Sequence, residues 1–387
     1  MPRLAERMNR LPAYLFAALE AKADELRAKG VDLIDLGIGD PDLPPPKFFE
    51  DSLRKHLSDP DTHLYPSSVG ELSVRKSIAR WAKIRFGIDV NPVTDVCVLI
   101  GAKEGLANLA RAFVNPGDIV AVPDPAYPVY ANGATILNDG MSVQMPLHEK
   151  NGMLPDLSQL PDNVRVLFLN YPNNPTGAIA TPEFFQQTAK WAENHPDCLV
   201  IQDNAYSELT FVNYRAPALL QFWRGGIEFF SLSKVVNATG FRIGWAIGHP
   251  DVIKALVKVK TQLDSGAPIF IQRALGEVLD LYTTPGETPK VIQDNLSVYG
   301  ERREMMENGL KDLGIEFVHS PATFYMWAKV PTGWDDIQFT DGAMEKGVIV
   351  TPGRGFGKQG EGRIRFALTQ PKERIEEALE RIKQLFK

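Results

Sequence analysis

Cysteine is nearly missing from this chain: 387 residues hold two, Cys97 in DVCVLIG and Cys198 in DCLVIQD. That scarcity excludes a disulfide framework, and thiols inside apolar stretches are expected to behave as small buried hydrophobes in a reducing, cytoplasmic setting. Histidine is sparse too. His56, His63, His148, His195, His249 and His319 are scattered without ligand spacing, so no metal is expected. The chain has no excess of basic residues either: 42 Lys and Arg stand against 48 Asp and Glu, a net charge of −6. A general attraction to nucleic acid or acidic membranes is thereby excluded. No apolar run is long enough for a signal peptide or membrane span, and no repeat or low-complexity tract is visible.

What the chain has is an alternation of short apolar runs with helical periods. VCVLIG, IVAVPDP, VRVLFLNYP, CLVIQDN, IEFFSLSK and IGWAIGHP are compact runs bounded by turn residues. Between them lie helical stretches such as KEGLANLARAFV and PEFFQQTAKWAENH, the latter opened by Thr181 as cap and Pro182 in the first turn. Strands apolar on both faces and joined by crossover helices predict an α/β fold with a mostly parallel sheet. After NLSVYGERREMMENGLKDLG, the segments FVHSPATFYMWAKV, GVIVTP and GRIRFALTQ read as strands of a smaller α/β domain, ended by the amphipathic ERIEEALERIKQLFK. The expected division is 48–285 for the large domain and 286–387 for the small one, with 1–47 an arm that joins the small domain.

Ligands of doubly wound sheets bind beyond the carboxyl ends of the strands, so the polar residues after each run are the ones to collect. IEFFSLS ends in Ser231, Ser233 and Lys234, with Arg242 in reach of the same loop. LVIQD delivers Asp203, with Tyr206 just beyond, and VRVLFLN delivers Asn174 within NYPNNPTG. In VLIGAKEG a strand turns into a helix start at Ala102 and Lys103, where free N–H groups favour phosphate. Each feature alone is ordinary: a solvated lysine, a helix-capping aspartate, an Asn-Pro turn, a core tyrosine such as Tyr127. Together they present phosphate donors, a carboxylate, an amide and a lysine.

Those are the groups that pyridoxal 5′-phosphate requires, since this electron sink needs a lysine anchor and an acid beside its ring nitrogen. Asp203 would keep that nitrogen protonated, and Tyr206 and Asn174 would bond the phenolic oxygen. Tyr127 would stack on the ring. Ser231, Ser233, Arg242, Ala102 and Lys103 would hold the phosphate. A Lys234 amine beside Arg242 and partly desolvated should titrate low, which suits a nucleophile and proton shuttle.

The segments LGIGDPDLPPP, HLYPSSVGELSVRKSIARW, GAKEGLANLARAFVNPGD, PDPAYPVY, NYPNNPTG, DNAYSEL, SLSKVVNATGFRIG, LDSG, PATFYMWAKVP and PGRGFGKQGEGRIRFALTQP resemble class I aminotransferases of fold type I, in family order across almost the whole chain. GIGDPDLP, NPGDIVAVPDPAYPVY and LDSG look most like the LL-diaminopimelate aminotransferase group, which works in lysine biosynthesis. The resemblance implies a large domain built on a mostly parallel seven-stranded sheet, and Lys234 as the Schiff-base lysine. It also implies Arg365 of GRIRFAL as the grip on the substrate's α-carboxylate, a bidentate task suited to guanidinium. It implies a homodimer in which Tyr65 reaches the partner's phosphate, and it places Tyr14 and Gly39 where they close over the substrate. The chain departs from the group at Val235–Phe241, at Gln262, where asparagine is expected, and at Arg363, where tyrosine is expected. Gln262 and Arg363 are therefore the positions expected to alter the substrate pocket.

Three rival readings lack their supporting parts. Ser231-x-x-Lys234 matches a serine acyl-transfer motif, but no Lys-Thr-Gly element accompanies it. The glycines of VIVTPGRGFGKQGEG precede a strand instead of the helix that a dinucleotide fingerprint needs, and read as a flexible hairpin loop. A regulator carrying an aminotransferase-like sensor would need a DNA-binding module for which the acidic chain has no room.

Overall fold

The computed structural model describes residues 2–12, 15–211 and 213–386, and of residues 15–18 the backbone alone; Tyr14 lies outside the described residues. In chain order the strands are β1 (Ile34–Asp35), β2 (Val96–Leu99), β3 (Ile119–Asp124), β4 (Met141–Pro146), β5 (Val164–Asn170), β6 (Leu199–Asn204), β7 (Ile227–Phe230), β8 (Gly244–Gly248), β9 (Phe317–Val318), β10 (Tyr325–Lys329), β11 (Val348–Ile349), β12 (Thr351–Pro352) and β13 (Arg363–Ala367). The α-helices are α1 (Leu15–Ala28), α2 (Lys47–Leu57), α3 (Leu72–Phe86), α4 (Ala102–Phe113), α5 (Pro182–Glu193), α6 (Pro250–Lys260), α7 (Ile269–Leu279), α8 (Lys290–Asp312), α9 (Asp336–Glu345) and α10 (Lys372–Lys383).

The apolar runs fall on strands of one seven-stranded sheet, ordered β2-β8-β7-β6-β5-β3-β4. Every pairing is parallel except those of β8, which runs antiparallel to β2 and β7. All residues of β2, β6, β7 and β8 are buried, which is why these strands read as continuous hydrophobic stretches. β4 is covered by none of the expected runs. It is the edge strand, with Met145 its one fully buried residue, so it lacks the apolar signature of its neighbours. The predicted cap of α5 forms, Thr181 Oγ1 accepting from Phe184 N at 3.2 Å.

Helix α4 lies flush on the sheet because Gly105 carries no Cβ; one there would sit 2.6 Å from Leu99 and 2.7 Å from Phe229. On the other face Trp81 packs edge-on against Phe86, Phe230 and Trp245 at 5.1–5.2 Å. The later strands form an antiparallel sheet ordered β12-β13-β10-β9, and β1 pairs in parallel with β11. Leu36 O accepts from Ala367 N at 2.7 Å, so the segment leading from β1 is tied to the end of β13.

The glycine-rich segment before β13 differs from the expected flexible hairpin. It folds into two 3-10 turns, Gly353–Phe356 and Lys358–Gly360, held by Asp124 Oδ1, which accepts from Gln359 N at 3.0 Å. Gly357, at φ +136°, lets Asp124 approach where a side chain would collide at 2.1 Å. These glycines serve close backbone packing, which composition alone does not distinguish from flexibility.

Candidate active site

The carboxyl ends of β2, β5, β6 and β7 and the beginning of β8 face one cavity of about 380 Å³, within the usual range of small-molecule sites. Its walls include Gly39, Ala102, Lys103, Tyr127, Asn174, Asp203, Tyr206, Ser231, Ser233, Lys234, Arg242 and Arg365, all singled out from the sequence.

Each is placed by the element that carries it. Burial is the main cause that lowers the Lys234 amine to about 8; Asp40 opposes the shift, and Arg242 and then Arg365 reinforce it. The expected influence of Arg242 is thus real but secondary to desolvation. Asp203, on β6, is fully enclosed, and burial raises its carboxyl to about 6 against the pull of two donors. These are Tyr130 Oη, 2.8 Å from Oδ2, and Ala205 N, 3.2 Å from Oδ1.

Ser231 Oγ and Ser233 Oγ stand 2.7 Å apart, and Ser233 N donates to Ser231 Oγ at 3.1 Å. Arg242, at φ +52°, donates from Nη1 to Thr239 O at 2.7 Å. The first turn of α4 meets this cluster through Gly101, at φ +78°, where a Cβ would lie 2.5 Å from Arg242 Nη2. Two hydroxyls, a guanidinium and a helix start therefore converge as a cradle for a dianion. Lys103 stands over the Tyr127 ring at 5.7 Å.

Arg365, buried on β13, donates to Asn174 Oδ1 at 2.9 Å and to Gly37 O at 2.6 Å. Because guanidinium only donates, the Asn174 amide must present its oxygen to Arg365, which leaves its NH₂ for another partner. The guanidinium also lies 4.3 Å from the ring centre of Tyr325 and 4.7 Å from that of Phe356.

Other expected residues stand elsewhere. Tyr65 is 90% exposed, and Gln262 is exposed with a 3.3 Å bond to Thr261; neither lines this chain's cavity. Arg363 does not line it either, contrary to expectation: its Nη1 pairs with Glu149 at 2.5 Å, and its charge is directed to that carboxylate. Tyr130, Asn170 and Tyr325 line the cavity but were not foreseen. Asn170 was legible as the polar end of VRVLFLN. Tyr130 and Tyr325 were hidden among aromatic residues that sequence assigns to the core.

This sheet order and lysine-centred cavity define a fold type I enzyme. The chain belongs to the aminotransferase class I and II family, whose model matches residues 31–382. It is 46% identical to the LL-diaminopimelate aminotransferase of Moorella thermoacetica over 98% of both chains. It is 45% identical to the enzyme of that name from Aquifex aeolicus over the full length of both. Among solved structures, substrate-bound BacF from Bacillus subtilis superposes with a TM-score of 0.92 at 32% identity, covering 100% of this chain and 98% of that one. Among the described residues no helix is long and apolar enough to cross a membrane.

Proposed function

We propose that this aminotransferase takes LL-diaminopimelate as amino donor and 2-oxoglutarate as acceptor in lysine biosynthesis, using pyridoxal 5′-phosphate held at Lys234. The observation that carries the cofactor and the transamination is the meeting of a desolvated lysine, an enclosed carboxylate and a buried arginine in one cavity, and the amino donor is supported by the similarity to enzymes that bear its name. The donor set fits the cofactor at each of its polar groups. Ser231, Ser233, Arg242 and the helix start at Ala102 and Lys103 suit its phosphate, and Asp203 its ring nitrogen. Tyr206 and the Asn174 NH₂ suit its phenolic oxygen, and Tyr127 its ring face. When bound, this group supplies an electron sink for the pair of electrons left on the substrate's α-carbon.

The chain's own residues do the rest. Arg365 grips the α-carboxylate with a planar fork that its bonds to Asn174 and Gly37 already orient. Lys234, with its amine lowered to about 8, is neutral in about a tenth of molecules at pH 7, far more than an ordinary lysine, and can take the proton from the α-carbon and return it.

The assembly we infer is a homodimer with shared sites. Tyr65, 90% exposed beside Leu64 at 68%, is an aromatic side chain with no cavity of its own to fill, and it would complete the partner's phosphate cradle. We place the enzyme in the cytoplasm, where its buried free thiols Cys97 and Cys198 stay reduced. An amino-donor panel with 2-oxoglutarate tests the substrate. LL-diaminopimelate should outperform aspartate, alanine, tyrosine and aminoadipate, and a clear preference for any of those would overturn the assignment.

A further inference from the structure

Tyr325 touches both halves of the cavity and has no role in the reading above. It opens β10, where it pairs with Ala367, while Trp327, two residues on, pairs with Arg365. Its backbone is fastened on both sides. Tyr325 N donates to Thr323 Oγ1 at 3.1 Å, and Tyr325 O accepts from Arg303 Nη2 at 3.1 Å. That buried guanidinium also holds Ala322 O at 2.9 Å and Thr323 O at 2.8 Å, the latter from a residue at φ +62°. The ring of Tyr325 therefore starts from a backbone with little freedom to move.

Three contacts leave that ring. Its face lies under the Arg365 guanidinium, 4.3 Å from centroid to carbon. Its hydroxyl lies 3.0 Å from Tyr206 Oη, the one hydrogen bond that either phenol makes among the described residues. Its edge fills the space beside Gly39, where a Cβ would come within 2.1 Å of Tyr325 Oη and 2.6 Å of the ring. Gly37, in the same segment, receives the Arg365 bond.

We propose that Tyr325 is a positioning residue that holds the Arg365 guanidinium with its ring face and directs the Tyr206 hydroxyl with its own, coupling carboxylate binding to the phenolic-oxygen side of the site. The proposal rests on the roles given above to Arg365 and Tyr206. A phenol that accepts a hydrogen bond at its oxygen donates its own proton more strongly, because the two bonds polarise each other. With Tyr325 donating, the Tyr206 O–H is turned into the cavity. The ring, meanwhile, offers Arg365 a neutral, electron-rich surface that holds the cation without competing for its N–H groups. A carboxylate side chain at this position would attract the guanidinium more strongly but would occupy the fork the substrate needs.

Two substitutions separate the two contacts. Tyr325→Phe keeps the ring and removes the hydroxyl, whereas Tyr325→Leu removes both. The first readout is the pH midpoint of the visible band of protein loaded with pyridoxal 5′-phosphate. The second is the dissociation constant of maleate, a dicarboxylate that cannot react, measured calorimetrically. Tyr325→Phe should raise the midpoint by on the order of 0.5 unit, since a weaker donor at the ring oxygen favours the protonated form. It should leave maleate binding within about twofold of the parent. Tyr325→Leu should show the same rise and bind maleate roughly five- to tenfold more weakly.

A midpoint unmoved in Tyr325→Phe overturns the hydroxyl role, and equal maleate affinity in the two variants overturns the ring role. If Tyr325→Leu does not fold, Tyr325→Met supplies the ring-less arm, read against Tyr325→Phe in the same way. In a Tyr206→Phe background, Tyr325→Phe should no longer move the midpoint; additive shifts would contradict the coupling. Should Tyr206→Phe alone leave the midpoint in place, the assignment of Tyr206 to the ring oxygen fails, and the proposal fails with it. A responsive Tyr206→Phe with a silent Tyr325→Phe sinks the proposal alone.

Discussion

Tyr130 donates a 2.8 Å hydrogen bond to Asp203 Oδ2 with both side chains buried, and this bond is the chief restraint on a carboxyl that burial raises to about 6. The tyrosine begins a π-helical turn, Tyr130–Thr135, that swings its ring beneath the sheet's end and stacks it on Phe168 at 5.0 Å. π-turns often mark functional sites because they re-aim a side chain that a regular helix would send elsewhere.

Tyr130→Phe should preserve that stacking and remove the donor. Asp203 then rises further above its ordinary value and carries a proton through more of the neutral range, so it offers less charge to a ring nitrogen. Affinity of the cofactor-free protein for pyridoxal 5′-phosphate should fall about tenfold or more at pH 7, as expected for a lost bond to an ionised group. Fluorescence titration measures it. Affinity equal to the parent's would show that Asp203 does not depend on this hydroxyl.

The lowered amine of Lys234 predicts how cofactor capture varies with pH. Only the neutral amine attacks a carbonyl, and its fraction grows as pH rises through about 8, instead of through the usual lysine value of 10.5. Stopped-flow rates of pyridoxal 5′-phosphate capture should therefore climb from pH 6, pass their midpoint near 8 and level off above about 9. A rate still climbing steeply at pH 10 would contradict the desolvated lysine. Lys234→Ala should abolish borohydride trapping, and peptide mapping of the parent should place the trapped group at residue 234.

Arg365→Lys keeps the charge and loses the fork. KM for both the amino donor and the oxo acid should rise about 10- to 100-fold, the worth of a charge-assisted bidentate contact. Because Asn174 Oδ1 also loses a donor at 2.9 Å, the visible band should shift slightly as the amide turns. Steady-state kinetics with both substrates decide the matter; a KM change confined to one would show that the two bind in different places.

Gly101→Ala tests the phosphate cradle. At φ +78° an alanine is strained, and its Cβ would stand 2.5 Å from Arg242 Nη2, so the guanidinium must retreat. Binding of pyridoxal 5′-phosphate should weaken roughly tenfold, while binding of pyridoxal, which has no phosphate, should hardly change. Equal losses for both ligands would mean that the substitution disturbs the cavity at large.

Much of this geometry was legible in the sequence because buried parallel strands end at the ligand. Lys234, Asp203 and Ala102 could be read as polar punctuation after apolar runs, and the structure gathers them. β4 was not legible, since an edge strand with one buried residue has no continuous hydrophobic signature. Tyr130 and Tyr325 escaped for a different reason: a buried tyrosine in the core and one aimed at a carboxylate or an arginine have the same sequence context, and only their hydroxyl partners distinguish them. Arg363 and Arg365 point to the same face of β13, yet Glu149 neutralises the first. Spacing told which face they share; the distant carboxylate was invisible.

The reversed direction of β8 has a consequence for how this protein can change. Were β8 parallel to β7, a crossover helix would separate the lysine from the arginine that follows it, and each could drift independently. Because β7 arrives at the cavity and β8 departs from it, residues 231–243 form one short span moored to the sheet at both ends. Lys234, both serines and Arg242 are thus carried on a single span. An insertion or deletion there would dislodge anchor and cradle together. Transplanting the span whole between relatives should therefore succeed where exchanging its parts does not.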